Sequence, residues 1–184
     1  MKSDVLIANC IAQTESTIRT AQIWEHLPKD TLSWRPTTFA WNTLECVEHL
    51  NRYSNFYLPA FQDAIANTKY RPQEDFTPGW LGSYFANSMN PSEKLRKMKT
   101  FKDKDPIFEN LDGVVIRNFL QDKEKLLHIL EASRQVNLQK TKVGISIATW
   151  LTIRLGDAFR FYLNHESRHL LQIQNIHKAL NQKV

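Results

Sequence analysis

The stretch from about Thr152 to about Leu180 constrains the fold most. Its apolar residues recur at helical spacing, and two histidines, His165 and His169, stand one turn apart among them. Each helical residue turns the chain by about 100°, so His169 falls about 40° from His165. On the same scale Ala158, Phe161, Tyr162, Gln172, Ile173 and Ile176 all fall within about 80° of His165. The two imidazoles therefore sit in the core-facing stripe of a long helix. Buried ring nitrogens are costly unless satisfied. A divalent metal satisfies them well, because neutral imidazole is a good ligand for zinc, nickel, iron or copper. The plainer alternative is two separate core histidines bonded to carbonyls or water.

Two ligands rarely suffice. His49 is the best candidate for a third: it lies mid-way along an earlier helical segment, in a stripe with Glu45, Tyr53 and Phe56. A histidine on one helix and a pair on another put three nitrogens on one side of an ion and leave positions open for water or substrate. Read alone, His49 could equally be a half-buried polar residue. Arg168, Tyr53 and Tyr162 are further pocket candidates. His128 faces away from its helix's apolar side, and His26 and His177 lie near helix C-termini, where the dipole favours positive charge.

The segment His165-Glu-Ser-Arg-His169 also spells the H-E-x-x-H pattern of zinc proteases. That reading fails for want of a third ligand. No Asp or Glu follows Glu166, and Gln172 and Asn175 occupy the positions where the extended pattern needs Gly and His. Glu166 falls about 100° from His165, at the edge of the buried face.

The remaining helices follow from periodicity and caps. A first helix is predicted from about Ser3, as cap, to about His26, with Pro28 beyond it. Trp34, Pro36, Phe39 and Trp41 mark an ordered connector packed on the bundle. Asn42-Thr-Leu-Glu45 is a capping-box signature opening a second helix to about Ala66, with a kink or early end expected at Pro59. Residues 67–113 hold four prolines and three glycines and read as a long crossover, with a short helix at Pro91–Met98. A third long helix spans about Val114 to Ser133. Val143-Gly-Ile-Ser-Ile has an extended pattern. The sum is an all-α four-helix bundle with a long crossover between helices 2 and 3, in one domain over residues 1–184.

Composition agrees. Hydrophobic residues at 42% and charged residues at 23% describe a globular chain, and five glycines are few for an all-β fold. No run approaches a membrane span and nothing at the N-terminus resembles a secretory signal, so a cytoplasmic protein is expected. Cys10 and Cys46 lie in apolar helical patterns and read as two buried thiols. The net charge of +5 is mild, and its densest run, Lys94 to Lys104, reads as a solvated face, so nucleic-acid binding ranks low. P-loop, G-x-G-x-x-G, G-x-S-x-G and C-x-x-C motifs are all missing from the sequence.

Three segments together resemble the DinB-like (YfiT-type) metalloenzyme superfamily. They are Leu32-Ser-Trp34-Arg-Pro36, Trp41-Asn-Thr-Leu-Glu45-Cys-Val-Glu-His49-Leu, and Leu155 through His165, His169 and Gln172 to Ile173. The resemblance implies a four-helix bundle with a metal site of His49, His165 and His169, holding zinc or nickel, in a protein that is often a homodimer. It also implies a metal-dependent transferase or hydrolase acting on a small molecule. Characterised relatives include S-transferases and isomerases that use low-molecular-weight thiols such as bacillithiol or mycothiol. The competing expectation is a non-catalytic, metal-stabilised helical dimer that binds a small ligand or a protein. The 67–113 crossover matches no part of the family pattern.

Overall fold

A computed structural model describes residues 1–91, 99–146 and 148–183. Its four long helices are α1 (Ser3–Glu25), α3 (Thr43–Asn67), α5 (Val114–Ala132) and α6 (Leu155–Asn181), with short helices α2 (Lys29–Ser33) and α4 (Trp80–Ser88) between them. Both α1 and α3 pack against α5 and α6, so the order around the bundle is α1, α5, α3, α6. Chain neighbours α1 and α3 thus stand on a diagonal. The core between the helices is aromatic and aliphatic, with Tyr57, Phe61, Phe119, Phe159, Leu126 and Leu130 fully buried.

The predicted capping box forms as read. The Asn42 side chain accepts from the Glu45 backbone N–H at 2.8 Å, and the Glu45 carboxylate accepts from the Asn42 N–H at 2.8 Å. Helix α3 runs through Pro59 to Asn67, past the expected break. Proline there removes one hydrogen bond to the Asn55 carbonyl, a loss that falls on the exposed side of the helix, where both Pro59 and Asn55 face solvent. Ser3 does not cap α1. Lys2 holds that position, and the Ser3 hydroxyl donates instead to the Gln73 carbonyl at 2.7 Å. In the connector, Trp34 and Trp41 pack on the core while Phe39 is exposed against Phe108.

The final helix starts at Leu155, later than its periodicity suggests. Residues Ala148–Arg154 form β2, which pairs antiparallel with β1 (Lys142–Ile145) in the register Val143↔Ile153. Val143, Ile145 and Ile153 face the core and Trp150 faces out. This alternation with a period of two claims the segment for a hairpin. The small sheet leaves the bundle architecture unchanged.

The crossover contributes structure that the sequence reading lacked. Helix α4 lies against α6, with the Gly79 N–H donating to Asp157 Oδ2 at 2.8 Å and Asn164 Nδ2 donating to the Ala86 carbonyl at 2.9 Å. The short helix expected after Asn90 falls on residues 92–98, outside the described residues. Cys10 and Cys46 are free and buried. No helix among the described residues is long and apolar enough to cross a membrane.

The α4–α6 contact depends on Gly82, where a Cβ would lie 2.3 Å from the Cβ and Cγ of Asp157. Gly82→Ala is expected to cost about 1–3 kcal/mol and lower the melting temperature by several degrees. Gly113→Ala, whose Cβ meets nothing nearer than Arg117 Nη1 at 3.8 Å, is the control and should leave it unchanged. Thermal denaturation followed by circular dichroism compares the two, and equal melting temperatures would refute the packing argument.

Candidate metal centre

His49 projects from α3, and His165 and His169 project from α6, into one buried cluster. His49 Nε2 lies 3.2 Å from His165 Nε2, and His169 Nε2 lies 3.1 Å from the same atom. The three side chains retain 3%, 5% and 7% of their exposure. Among the described residues, they form the group of His, Cys, Asp and Glu side chains whose ligand atoms converge.

The outer nitrogens determine what the inner ones can do. His49 Nδ1 lies 2.7 Å from the Lys104 carbonyl, which can only accept, so Nδ1 carries the proton. His169 Nδ1 lies 3.0 Å from Gln172 Oε1 and is protonated for the same reason. In the neutral rings both Nε2 atoms are then bare lone pairs aimed at His165 Nε2, which brings at most one hydrogen. Three nitrogens thus share one proton at most, among residues that are more than nine-tenths buried. A divalent cation would accept all three lone pairs. Ligand nitrogens around a tetrahedral ion with bonds of about 2.05 Å stand roughly 3.3 Å apart, close to the observed spacing. The donor set therefore fits a divalent ion, and the Nδ1–H···O bonds are the outer contacts that orient metal-binding histidines.

The protonation states agree with that assignment. Burial lowers His49 to about 4, opposed by its bond to the Lys104 carbonyl and by Asp105. Burial and the neighbouring His49 lower His169 to about 3. Burial, His169 and His49 hold His165 well below its ordinary value. All three are neutral at pH 7.

Aromatic rings wall the cluster. Trp41 lies 4.7 Å from the His49 ring and 5.8 Å from His169, and its Nε1 donates to Asp105 Oδ1 at 3.1 Å. Tyr53 lies 4.9 Å from His49 and 4.5 Å from His165, while Phe161 stacks parallel to His165 at 6.3 Å. Of the pocket candidates, Tyr53 borders the cluster and the charge of Arg168 bears on His165 and His169. Tyr162 does not line it. Its hydroxyl is engaged deep in the core by Ser54 at 2.7 Å and Lys123 at 2.8 Å. His128 and His26 are exposed, and His177 Nε2 lies 3.0 Å from Thr43 Oγ1, outside the cluster.

Glu166, the would-be protease base, is buried and ion-paired with Lys123 of α5. Lys123 is the residue that the sequence reading passed over. It is fully buried, and although burial alone would lower its pKa, Glu166 and Tyr162 hold it raised. The signal was present: Lys123 lies four residues after Phe119 and three before Leu126, inside the apolar stripe of its own helix.

A four-helix bundle that gathers one histidine from α3 and a one-turn pair from α6 belongs to the class of bundles with sites between facing helices. The sequence profile of the DinB superfamily matches residues 14–173, and the chain belongs to that superfamily. Among solved structures, YfiT from Bacillus subtilis is similar over 97% of this chain and 87% of its own, with a TM-score of 0.57 and 14% identity. It is described as "a probable metal-dependent hydrolase with an unusual four-helix bundle topology". At that identity the likeness establishes the fold. No curated protein matches the chain.

Two outcomes follow from the electrostatics. The folded values of His49 and His169 lie below the ordinary 6.5, so the unfolded chain takes up protons first as pH falls. Metal-free protein should therefore lose stability from about pH 6.5 down to about pH 3, and these groups should have no effect above that window. Urea denaturation across this range, beside the variant with all three changed to glutamine, checks it; parallel pH slopes would contradict it. Separately, Lys123→Met strands the buried Glu166 carboxylate and should destabilise by about 3–5 kcal/mol, most of it recovered when Glu166→Leu is added. Additive losses in the double variant would show that the pair is not coupled.

Proposed function

We propose that His49, His165 and His169 hold a divalent ion, zinc or nickel, and that the protein is a metal-dependent enzyme acting on a small molecule. The observation that carries this reading is the convergence of three neutral Nε2 atoms with at most one proton among them. The bound ion would supply a Lewis acid able to polarise a substrate or acidify a water or thiol. The chain's own residues do the rest. Lys104 and Gln172 fix the outer ring nitrogens and so orient two imidazoles, while Trp41, Tyr53 and Phe161 limit the access of water.

Hydrolysis, as described for YfiT, and transfer or isomerisation dependent on a low-molecular-weight thiol are the two reaction types that this reading allows. The resemblance to the superfamily supports the second, together with a cytoplasmic homodimer of one-domain chains. The deep burial of all three histidines favours a second reading, in which the ion only stabilises a helical dimer that binds a ligand or partner.

Metal analysis of protein purified without a nickel column should find close to one ion per chain, and almost none in the variant with all three histidines changed to alanine. Equal, sub-stoichiometric metal in both would end the proposal. A panel of esters, and of thiols paired with a generic electrophile, separates the readings. Turnover lost on chelation and restored by metal supports the enzyme, whereas a lowered melting temperature without any turnover supports the structural role.

A further inference from the structure

Beside the cluster lies a cleft that the metal reading leaves unexplained. Tyr53, Phe101, Asp103, Lys104 and Ser146 line it, drawn from α3, the crossover and the hairpin turn. Tyr53 is a shared wall, because its ring also touches those of His49 and His165 at 4.9 and 4.5 Å. Whatever occupies the cleft therefore shares the Tyr53 ring as a wall with His49 and His165.

Lys104 is held there by both of its ends. Its carbonyl accepts the His49 Nδ1 proton at 2.7 Å, which fixes the backbone of the short 3-10 turn Lys102–Lys104. Its ammonium folds back over Tyr53, with Nζ 5.9 Å from the ring centroid, and the side chain is only 20% exposed. A lysine free to choose would reach into water. Its ion pair among the described residues is with the adjacent Asp103 at 3.3 Å, whose own side chain is 72% exposed. Ser146 adds a hydroxyl, held 3.3 Å from the Tyr57 phenol oxygen, which also accepts from the Ser146 N–H at 3.2 Å. Phe101 adds a half-exposed ring. The cleft thus offers one pre-placed ammonium, one hydroxyl and two aromatic faces.

We propose that this cleft binds a small organic carboxylate, its anionic end on Lys104 and its apolar body across Tyr53 and Phe101. As a statement about substrate class, this rests on the reading of the three-histidine cluster as the reaction centre. A monoanion matches a single ammonium and a hydroxyl, whereas a phosphate dianion would call for more donors. A neutral analogue would leave the Lys104 charge without a new partner. The carboxylate displaces Asp103 from Lys104, and the exposed Asp103 side chain turns to water. Asp103 is therefore a competitor whose removal strengthens binding.

The test compares phenylacetate with its neutral isostere phenylacetamide at pH 7.5. Amide chemical shifts are followed by nuclear magnetic resonance on full-length protein, metal-free and zinc-loaded. Phenylacetate should bind roughly five to ten times more tightly, the size of one charge-assisted hydrogen bond at a partly exposed site. Lys104→Met should abolish that preference, Lys104→Arg should keep it, and Asp103→Asn should enlarge it. A purely structural role for Lys104 would not move the last two variants in this pattern. If Lys104→Met fails to fold, Lys104→Arg and Asp103→Asn still decide the matter. Equal binding of the two probes, binding of neither, or a preference that survives Lys104→Met would overturn the proposal. Zinc uptake with no anion preference would sink this inference alone. Anion preference without zinc uptake would sink only the metal reading.

Discussion

Glu45 is the carboxylate on which the geometry of the site depends. It is fully buried at the third position of α3 and accepts three hydrogen bonds: from Asn42 N–H at 2.8 Å, from Arg35 Nη2 at 2.9 Å and from the Phe108 N–H at 2.6 Å. Hydrogen bonds of this kind offset the cost of burying a carboxylate. The three donors come from the helix cap, the connector and the crossover. One side chain thus starts α3 and anchors the segments on either side of it. Phe108, whose φ of 64° is uncommon for a side chain of its size, is held there by this bond and by the Arg35 guanidinium over its ring at 4.9 Å.

The consequences reach the histidines directly. With residues 105–108 pinned by Glu45, and by Arg52 through the Asp105 carbonyl at 3.3 Å, the Lys104 carbonyl arrives at His49 Nδ1. That contact chooses the tautomer of His49 and turns its Nε2 lone pair inward. The crossover, through residues 104–108, therefore sets the chemistry of a residue on a regular helix. The other pair needs no such help: His165 and His169 are stacked by helix geometry, and Gln172, three residues further along the same helix, orients the second ring.

This division explains what was legible in the sequence. Helix-borne features were readable because one dihedral repeat fixes them, so the one-turn His165–His169 pair and the capping box emerged from spacing and motif, whereas the choice of His49 as their partner rested also on the resemblance to the superfamily. The hairpin at 142–154 was half readable, since the extended pattern of its first strand was visible while the second blended into the helical stripe that follows. The contacts of Lys104, Asp105 and Trp41 were not readable. They depend on where a long crossover lands, and no local periodicity encodes that. Helix α4 was missed because its nine residues pack through Gly82 against Asp157, a fit between two particular surfaces.

Lys123 is legible in the same helical pattern. A charge in the middle of an apolar stripe requires a buried partner, because an ammonium cannot be left alone in a core. The partner had to be an acid on a facing helix at the edge of its own apolar face, and Glu166 fits that description. Making that pairing changes the meaning of His165-Glu-Ser-Arg-His169. In a protease of that pattern the glutamate must be free to face the reacting water. Here α5 claims it: the Lys123 ammonium donates to both Glu166 and the Tyr162 hydroxyl, and Tyr162 in turn bonds Ser54, whose hydroxyl donates to the Leu50 carbonyl at 3.1 Å. The polar chain runs through the core from α5 across α6 to α3, with each donor ordered by the next acceptor. One position along from His165, the helix turns from the three-histidine cluster to the interior of the bundle. The five-residue pattern therefore straddles two environments, and only its histidines belong to the cluster.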